Sequence, residues 1–233
     1  AADTAEAGAL GLPAIVFETC LDGEDPGMLP EVDPSAPAVI ASTSGTTGAA
    51  KGVVHSQRTL VDAVAHKVAL TGIGPDDVFL SISPNHTKAS LNQRVDALLA
   101  GATLLLSDIQ AEGLGGVLAH MERAHVSFLR ATPMVMKAIM LADGAPAALA
   151  ALRFIHIGGD LLLRDDLADI VAALPVGCRV YATLASSEVR IADWVVDLAT
   201  VDDPVRVAGG LPRQDILTHV VDETGHLVMD DAP

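Results

Sequence analysis

The chain has 233 residues, and 50% of them are hydrophobic, so it can bury a substantial core as one large domain or two small ones. Its 14 Lys and Arg residues are outnumbered by 30 Asp and Glu residues, which gives a formal net charge of −16. Because nucleic acids and anionic membranes are bound through clustered Lys and Arg, this composition argues against both as partners.

Signals for secretion or membrane insertion are not evident in the sequence. No Lys or Arg precedes Lys51, whereas a secretory signal carries positive charge before its apolar stretch. No apolar run reaches the roughly 18 residues of a membrane-spanning helix. Cys20 and Cys178 lie far apart and outside any C-x-x-C pattern, which is typical of small buried side chains in a reducing compartment. We therefore predict a cytoplasmic protein without membrane insertion.

In chain order, the hydrophobic pattern predicts strands that alternate with helices. The expected strands are 12–17, 38–41 (buried), 77–82, 102–106, 126–128, 152–157 and 179–183. The expected helices are 57–70, 90–100, 114–124, one that opens at Thr132-Pro133 with a hydroxyl cap, and 161–174. The acidic, proline-rich stretch 22–37 is a linker or a surface loop. This alternation predicts an α/β fold with mostly parallel sheets flanked by helices.

The most informative segment is 42–54, with the sequence STSGTTGAAKGVV. Its glycines and hydroxyl residues let a loop wrap closely around an anion, and Lys51 adds a full positive charge. The nucleotide-binding pattern G-x-x-x-x-G-K-[ST] fails, because Gly48 stands three residues before Lys51 and Gly52 follows it. A flexible Gly/Ser/Thr linker is the alternative. The extended apolar flanks on both sides favour a phosphate-binding loop.

Residues Thr43 to Val53 resemble the signature loop T-S-G-T-T-G-x-P-K-G-V of the adenylate-forming superfamily, with Ala50 in place of the usual proline. This superfamily includes acyl-CoA synthetases, luciferases and the adenylation domains of peptide synthetases. The resemblance implies that residues 1–233 form part of its large amino-terminal AMP-binding domain. The family's ribose-binding aspartate and its mobile carboxyl-terminal domain are not found here, so the chain alone is expected to be inactive.

The signature loop carries most of the implied nucleotide contacts. In the family it holds the β- and γ-phosphates of ATP, with the lysine as a catalytic cation. This implies contacts from Thr43, Ser44, Gly45, Thr46, Thr47, Gly48 and the catalytic Lys51.

A second match covers 177–188 and resembles the family's strand followed by Y-G-x-T-E. The resemblance implies that Glu188 is catalytic and helps hold Mg²⁺, for which a carboxylate is a suitable hard ligand. It also implies that Ser187 contacts the α-phosphate. Leu184 stands where a tyrosine stacks on adenine, and Ala185 replaces the glycine. A solvated surface carboxylate is the alternative for Glu188.

Two shorter matches complete the implied site. Gly158-Gly159-Asp160 resembles the glycine pair beside the adenine, although such a trio also serves as an ordinary turn and helix cap. The segment 83–86 resembles the one that presents a histidine to the acyl substrate, which implies a substrate contact for His86. Its spacing is one residue shorter than usual, so a capping or loop histidine is the alternative.

The signature loop and the segments 83–86, 158–160 and 184–188 each follow a predicted strand. In open α/β sheets, ligands bind beyond the carboxyl ends of the strands. We therefore expect these four segments to converge on one crevice.

The resemblance implies that the protein activates a small-molecule carboxylic acid with ATP and Mg²⁺, giving an acyl-adenylate. Transfer to the thiol of coenzyme A or of a carrier protein follows, as in acid–CoA ligases. The amino-acid-activating branch places an aspartate near 83–91, and none stands there, which favours a simple acid.

A second function stays open. Ala50, Leu184 and Ala185 depart from the family pattern and fit a catalytically weakened module that binds nucleotide or acyl groups in a regulatory or scaffold role. Whether the chain forms a homo-oligomer is also left open. In the tail, the His, Asp and Glu residues of 219–226 suggest either a metal cluster or a hairpin turn, and Asp-Glu-Thr-Gly favours the turn.

Overall fold

The computed structural model describes residues 27–28, 30–44, 50–84, 87–196, 205, 207 and 216–228. Within these ranges the strands are β1 Pro37–Ser44, β2 Ala50–Ser56, β3 Val78–Ser81, β4 Thr103–Leu106, β5 Phe128–Ala131, β6 Phe154–Ile157, β7 Arg179–Ala185 and β8 Arg190–Val196. The helices are α1 Gln57–Thr71, α2 Lys88–Leu99, α3 Ile109–Arg123, α4 Pro133–Met140, α5 Ala145–Leu149 and α6 Arg164–Ala173. The strand predicted at 12–17 lies outside the described residues.

The central sheet has six strands in the order β4-β3-β5-β6-β7-β8. Neighbours from β4 to β7 run parallel, and β8 pairs antiparallel with β7. Parallel neighbours need a crossover, and the helices α2 to α6 provide these connections. The predicted α/β fold with mostly parallel sheets flanked by helices is therefore confirmed.

Aromatic side chains stack across one face of this sheet. Phe79 of β3, Phe128 of β5 and Phe154 of β6 are paired in register, and successive ring centroids are 4.2 and 6.2 Å apart. Since successive residues of a strand point to opposite faces, the residue after each phenylalanine lies on the other face. There it joins a second buried cluster with side chains of α3, α4 and α6. The sheet is thus buried on both faces.

Hydroxyl residues fix where several helices begin. Thr132 accepts the Val135 N–H at 3.3 Å and precedes Pro133, so α4 begins where the sequence predicted. Ser56 caps α1 and Thr87 caps α2 in the same way. The Thr87 cap is the more consequential one, because it fixes the turn of α2 that borders the cavity described below.

The strand predicted at 126–128 is shifted along the chain, because β5 begins only at Phe128. The hydroxyl of Ser127 accepts the Val78 N–H at 2.9 Å and donates to Asp77 Oδ1 at 2.7 Å. These bonds hold the segment before β5 as a connection to β3.

Helix boundaries also differ from the prediction. The helix expected at 161–174 begins at Arg164 and ends at Ala173. In α3, Gly113 has φ 68° and breaks the helical geometry, so the continuous helix follows it, as predicted for 114–124. The short α5 and the strand β8 were not predicted.

The signature loop belongs to a separate hairpin. β1 and β2 pair antiparallel in a two-stranded sheet of their own. The strand predicted at 38–41 is present within β1, but the prediction that it is buried is wrong, since Ile40 is 70% exposed and only Ala41 of these four residues is buried. The signature loop follows a strand, as predicted, but this strand is β1 of the hairpin and does not belong to the central sheet. The tip of the hairpin, 45–49, lies outside the described residues.

The predicted hairpin turn in the tail is present. Val221 and Leu227 form an antiparallel bridge, and the Asp222 carboxylate accepts the N–H groups of Thr224 and His226 at 2.8 and 3.0 Å. In the described part of the chain, no group of three or more His, Cys, Asp or Glu residues is placed to hold a metal ion.

Burial raises the pKa of the Cys178 thiol to about 11, so this free cysteine is an unreactive small side chain. Cys20 lies outside the described residues. None of the helices that the structure describes is long and apolar enough to cross a membrane. Residues 30–35 are exposed and lie outside helices and strands, ahead of β1.

Candidate active site

A cavity of about 540 Å³ opens where β5, β6 and β7 end. Side chains of α1 and α2 form one wall, and the turn between β7 and β8 forms another. Three residues of the predicted site line it, namely Gly159, Ser187 and Glu188. Two of the segments expected to converge, 158–160 and 184–188, therefore meet at this cavity. His86, from a third, lies outside the described residues.

Glu188 stands at the tip of the β7–β8 turn. The turn is closed by the Ser186 N–H donating to the Val189 carbonyl at 2.8 Å, and the Glu188 N–H donates to the Ser186 hydroxyl at 3.2 Å. The hydrogen bond from Ser186 is the main cause that lowers the pKa of the exposed Glu188 carboxyl, with Lys88 and Lys51 adding to it. The side chain is thus an exposed carboxylate at neutral pH, available to a cation.

Lys51 reaches the same neighbourhood from the β1–β2 hairpin. It is exposed and stands opposite Thr43 in the register of the hairpin. Its charge contributes to lowering the pKa of Glu188, so the two groups interact although they belong to different sheets. The cradle residues Gly45, Thr46, Thr47 and Gly48 lie outside the described residues, as do the side chains of Thr43 and Ser44.

The glycine pair after β6 is required by the local geometry. A Cβ on Gly158 would lie 3.3 Å from Thr183 Oγ1 and 3.4 Å from His156 Nε2, so the backbone approaches these side chains closely. Gly159 has φ +90°, a conformation that residues with a side chain rarely adopt. Asp160 is exposed, and its carboxylate accepts the Leu161 N–H at 2.8 Å, as in the turn alternative.

Leu184 and Ser187 differ in their relation to the cavity. Ser187 lines it, and its carbonyl accepts a hydrogen bond from the Lys88 ammonium group. Thr183 and Ala185 also line it, whereas Leu184 between them is 47% exposed and lies outside the lining. Because alternate strand residues share a face, Leu184 points away from its two neighbours. Its predicted place beside adenine stays a prediction.

His156 forms part of the cavity floor although no role was predicted for it. It is 2% exposed, and its Nε2 lies 3.0 Å from the Thr183 hydroxyl. Burial is the main cause that holds the pKa of His156 well below its usual value, and the cations Arg130, Lys67 and Arg190 act in the same direction. The imidazole is therefore neutral at physiological pH.

Sequence reasoning also missed Lys88, His55 and Arg130, all of which line the cavity. Burial, and then the charge of Lys88, lowers the pKa of His55. These residues come from α2, from the end of β2 and from the end of β5, so no local motif joins them. Of these three residues, only Arg130 could have been recognised from the sequence, because a charged residue inside a short apolar strand is unusual.

The two helices of the cavity wall are joined by a buried ion pair between Lys67 of α1 and Asp96 of α2. The lining residues Arg130 and Arg190 act electrostatically on Lys67. Arg190 stands 3.7 Å from Asp193, whose carboxylate is fully buried. Buried charges require partners, and these pairs supply them. They join the two helices of the cavity wall to each other and fix one arginine of its lining.

Comparison with known proteins decides the family. A model of the AMP-binding enzyme family matches residues 5–233. The chain belongs to this family. The resemblance to adenylate-forming enzymes found in the sequence is thereby confirmed.

Curated relatives of the chain are longer proteins. Nonribosomal peptide synthetase 30 of Fusarium vanettenii is 30% identical over 201 residues, covering 85% of this chain and 3% of that protein. The L-proline--[L-prolyl-carrier protein] ligase of Streptomyces coelicolor is 25% identical over 225 residues, covering 94% of this chain and 42% of that protein. The chain thus spans less than half the length of each.

Solved structures share the fold. The N-terminal subdomain of Klebsiella oxytoca NpsA, in complex with 3-hydroxyanthranilyl-AMSN, superposes with a TM-score of 0.73 at 19% identity. That match covers 96% of this chain and 58% of the subdomain. The structure of IdnL1 gives a TM-score of 0.72 at 20% identity, covering 88% of this chain and 42% of that one. At these identities the likeness concerns the AMP-binding fold itself.

Proposed function

We propose that this AMP-binding protein activates a carboxylic acid by attack of its carboxylate on the α-phosphate of ATP. The products of this step are the acyl-adenylate and pyrophosphate. The observation that carries the proposal is the placement of Glu188, an ionised carboxylate on the turn that borders a cavity, with Lys51 and Lys88 close enough to lower its pKa. Phosphoryl-type transfers depend chiefly on positioning and charge neutralisation, which Glu188 and Lys51 can provide.

Mg²⁺ and ATP fit the residues present. Glu188 is an exposed, ionised oxygen ligand, and Mg²⁺ is commonly held by one or two carboxylates together with substrate phosphates. The metal would neutralise phosphate charge. In this proposal Lys51 and the loop residues Thr43, Ser44, Gly45, Thr46, Thr47 and Gly48 bind the β- and γ-phosphates, and Ser187 binds the α-phosphate.

The adenine lies between the glycine pair and the β7–β8 turn in this proposal. Gly158 and Gly159 are proposed to lie beside the adenine. Leu184, which lies outside the cavity lining, is a flanking residue that supplies no π-stacking. Asp160 follows the glycine pair and is proposed to flank the bound nucleotide. His86 is proposed as a contact to the acid.

The acyl group is then transferred to a thiol, either of coenzyme A or of a carrier protein. The name of the Streptomyces coelicolor relative, a carrier-protein ligase, supports the second acceptor. The first step uses ATP and the second uses a reduced thiol, so we propose a cytoplasmic location. We also propose that 1–233 is part of an amino-terminal AMP-binding domain, with 22–37 as a linker or surface loop.

A catalytically weakened binding module is the second candidate. Leu184 lies outside the cavity lining, and Ala50 and Ala185 replace residues usual in the family, so nucleotide binding without turnover is a coherent alternative. In that role the cavity would serve regulation or scaffolding.

Acid-dependent exchange of labelled pyrophosphate into ATP separates the two candidates. The full-length protein is assayed with Mg²⁺ across a panel of carboxylic acids, and nucleotide binding is measured in parallel by calorimetry. Exchange that requires one class of acid supports the enzyme. Nucleotide binding without exchange for any acid would contradict the enzyme and support the binding module.

A further inference from the structure

The cavity gathers cationic side chains in a chain that is strongly acidic. Lys88, Arg130 and Arg190 line it, together with the acidic Asp62 and Glu188. Over the whole sequence the proportion is reversed, with 14 Lys and Arg against 30 Asp and Glu. Cations lining a cleft with low-dielectric walls focus the field there and favour anionic ligands.

Lys88 presents its charge at the start of α2, which Thr87 caps. Its ammonium group donates to the Ser187 carbonyl, which uses one of its three N–H donors. Asn92, one helical turn further along α2, lines the same cavity. This wall therefore offers a charge and hydrogen-bond donors to a bound molecule.

The neighbouring charges compensate the three cations unequally. Arg190 stands 3.7 Å from the buried carboxylate of Asp193. Arg130 donates to the Ala89 carbonyl at a long 3.5 Å, and the acid that most strongly favours its charged form, Asp96, already forms the buried ion pair with Lys67. Acidic groups of the protein therefore compensate the charge of Arg130 less than that of Arg190, and Arg130 is the better placed of the two to bind an anion.

The acid that attracts Lys88 is Glu188. In the function proposed above, that carboxylate would hold Mg²⁺, and Lys88 would then have a weaker counter-charge when substrate is bound.

We propose that the acid bound in this cavity carries a second anionic group, which Lys88 and Arg130 bind, and that an acid bearing a free ammonium group is rejected. This inference rests on the proposed function, because it names the substrate class of the same site. Both side chains suit the task, since guanidinium and ammonium groups form charge-assisted hydrogen bonds with carboxylates.

Two matched trios of acids test the inference in the pyrophosphate exchange assay on the full-length protein. The aliphatic trio is succinate, its neutral monoamide succinamate, and β-alanine, whose ammonium group sits on the same two-methylene spacer. The aromatic trio is isophthalate, 3-carbamoylbenzoate and 3-(aminomethyl)benzoate. Within the trio that supports exchange, kcat/KM is expected to be roughly 10- to 100-fold higher for the diacid than for its monoamide, the range for a charge-assisted contact. The ammonium acid is expected to be the poorest.

The variants Lys88→Met and Lys88→Arg test whether Lys88 causes the preference for the diacid over its monoamide. Lys88→Met is expected to remove most of the diacid preference while leaving the KM for ATP unchanged, and Lys88→Arg is expected to retain the preference. Lys137→Met is the matched control, because Lys137 pairs with Asp166 on α6, away from the cavity. It should leave all rates unchanged.

The outcomes separate the two proposals. Exchange that is fastest with a neutral or ammonium acid would overturn the inference and leave the proposed function standing. A wild-type preference for the diacid that Lys88→Met preserves, or a Lys88→Met defect confined to the KM for ATP, would also overturn it. Absence of exchange with every acid, although nucleotide binds, would overturn the proposed function and this inference with it.

Discussion

The ionisation of Glu188 depends on groups from other parts of the chain. It is fully exposed, yet the Ser186 hydroxyl and two lysines from distant parts of the chain lower its pKa. The sequence motif placed it at the end of a strand, and the structure adds Lys88, 100 positions earlier, as a neighbour. A motif records residues that are close along the chain. Neighbours contributed by other elements have no local signal.

The charge of Glu188 gives the first prediction. Glu188→Gln keeps the size and one oxygen but removes the charge, so the metal would be held with one fewer anionic ligand. We expect the rate of pyrophosphate exchange to fall on the order of 10²–10³-fold, with a higher Mg²⁺ requirement, as for loss of one preorganised electrostatic contact. Glu122→Gln, on the exposed surface of α3, is the control. An unaltered Mg²⁺ titration for Glu188→Gln would refute the assignment.

His156 gives a prediction about stability and pH. The folded protein keeps His156 neutral, because its pKa lies well below the usual value, whereas the unfolded chain binds a proton below about pH 6.5. This contribution to stability is present above that pH and is lost as the pH falls further. The free energy of unfolding should therefore decrease between pH 7 and pH 5.5, by at most about 1.4 kcal/mol per pH unit for this one group.

Urea unfolding of His156→Gln at three pH values checks the assignment. Glutamine retains a donor or acceptor towards Thr183 but does not titrate, so the variant should show a shallower pH dependence than the wild type. His226→Gln, at a side chain that is 83% exposed, should leave the slope unchanged. Equal slopes for His156→Gln and the wild type would show that His156 is not the group responsible.

At the scale of elements, the sequence predicted a helix boundary correctly where adjacent residues determine it. The start of α4 follows from Thr132 and Pro133, whose roles depend on adjacent residues only. Prediction from the sequence failed at β8, where the buried Asp193 interrupts the apolar pattern and the strand is held by pairing with β7. It also failed to separate the β1–β2 hairpin from the central sheet, because an extended apolar segment has the same pattern in either sheet.

The turn after β6 gives a prediction at this scale. Gly159 has φ +90°, and a Cβ there would meet nothing closer than Thr132 Cγ2 at 3.7 Å, so Gly159→Ala introduces backbone strain without a clash. We expect it to lower the free energy of unfolding by about 1–2 kcal/mol. Gly74→Ala, where a Cβ meets nothing within 4 Å and φ lies outside the strained range, should change it by less than about 0.5 kcal/mol. Equal effects in urea unfolding would contradict this.

At the scale of the whole molecule, overall charge and local charge have opposite signs. The net charge of −16 predicts that polyanions are not partners, and it gives no indication that Lys88, Arg130 and Arg190 line the same cavity. Their convergence depends on the parallel sheet, which brings the ends of β5, β6 and β7 to one edge. The family could be inferred from one loop, whereas the character of the cavity required the fold.

The fate of the substrate's carboxylate oxygens tests the central claim most directly. The full-length protein is incubated with ATP, Mg²⁺ and an accepted acid that carries ¹⁸O in both carboxylate oxygens, and the nucleotide product is analysed by mass spectrometry. If the carboxylate attacks the α-phosphate, the AMP released after acyl transfer contains one ¹⁸O atom. Unlabelled AMP, or ADP accompanied by labelled inorganic phosphate, would contradict activation through an acyl-adenylate.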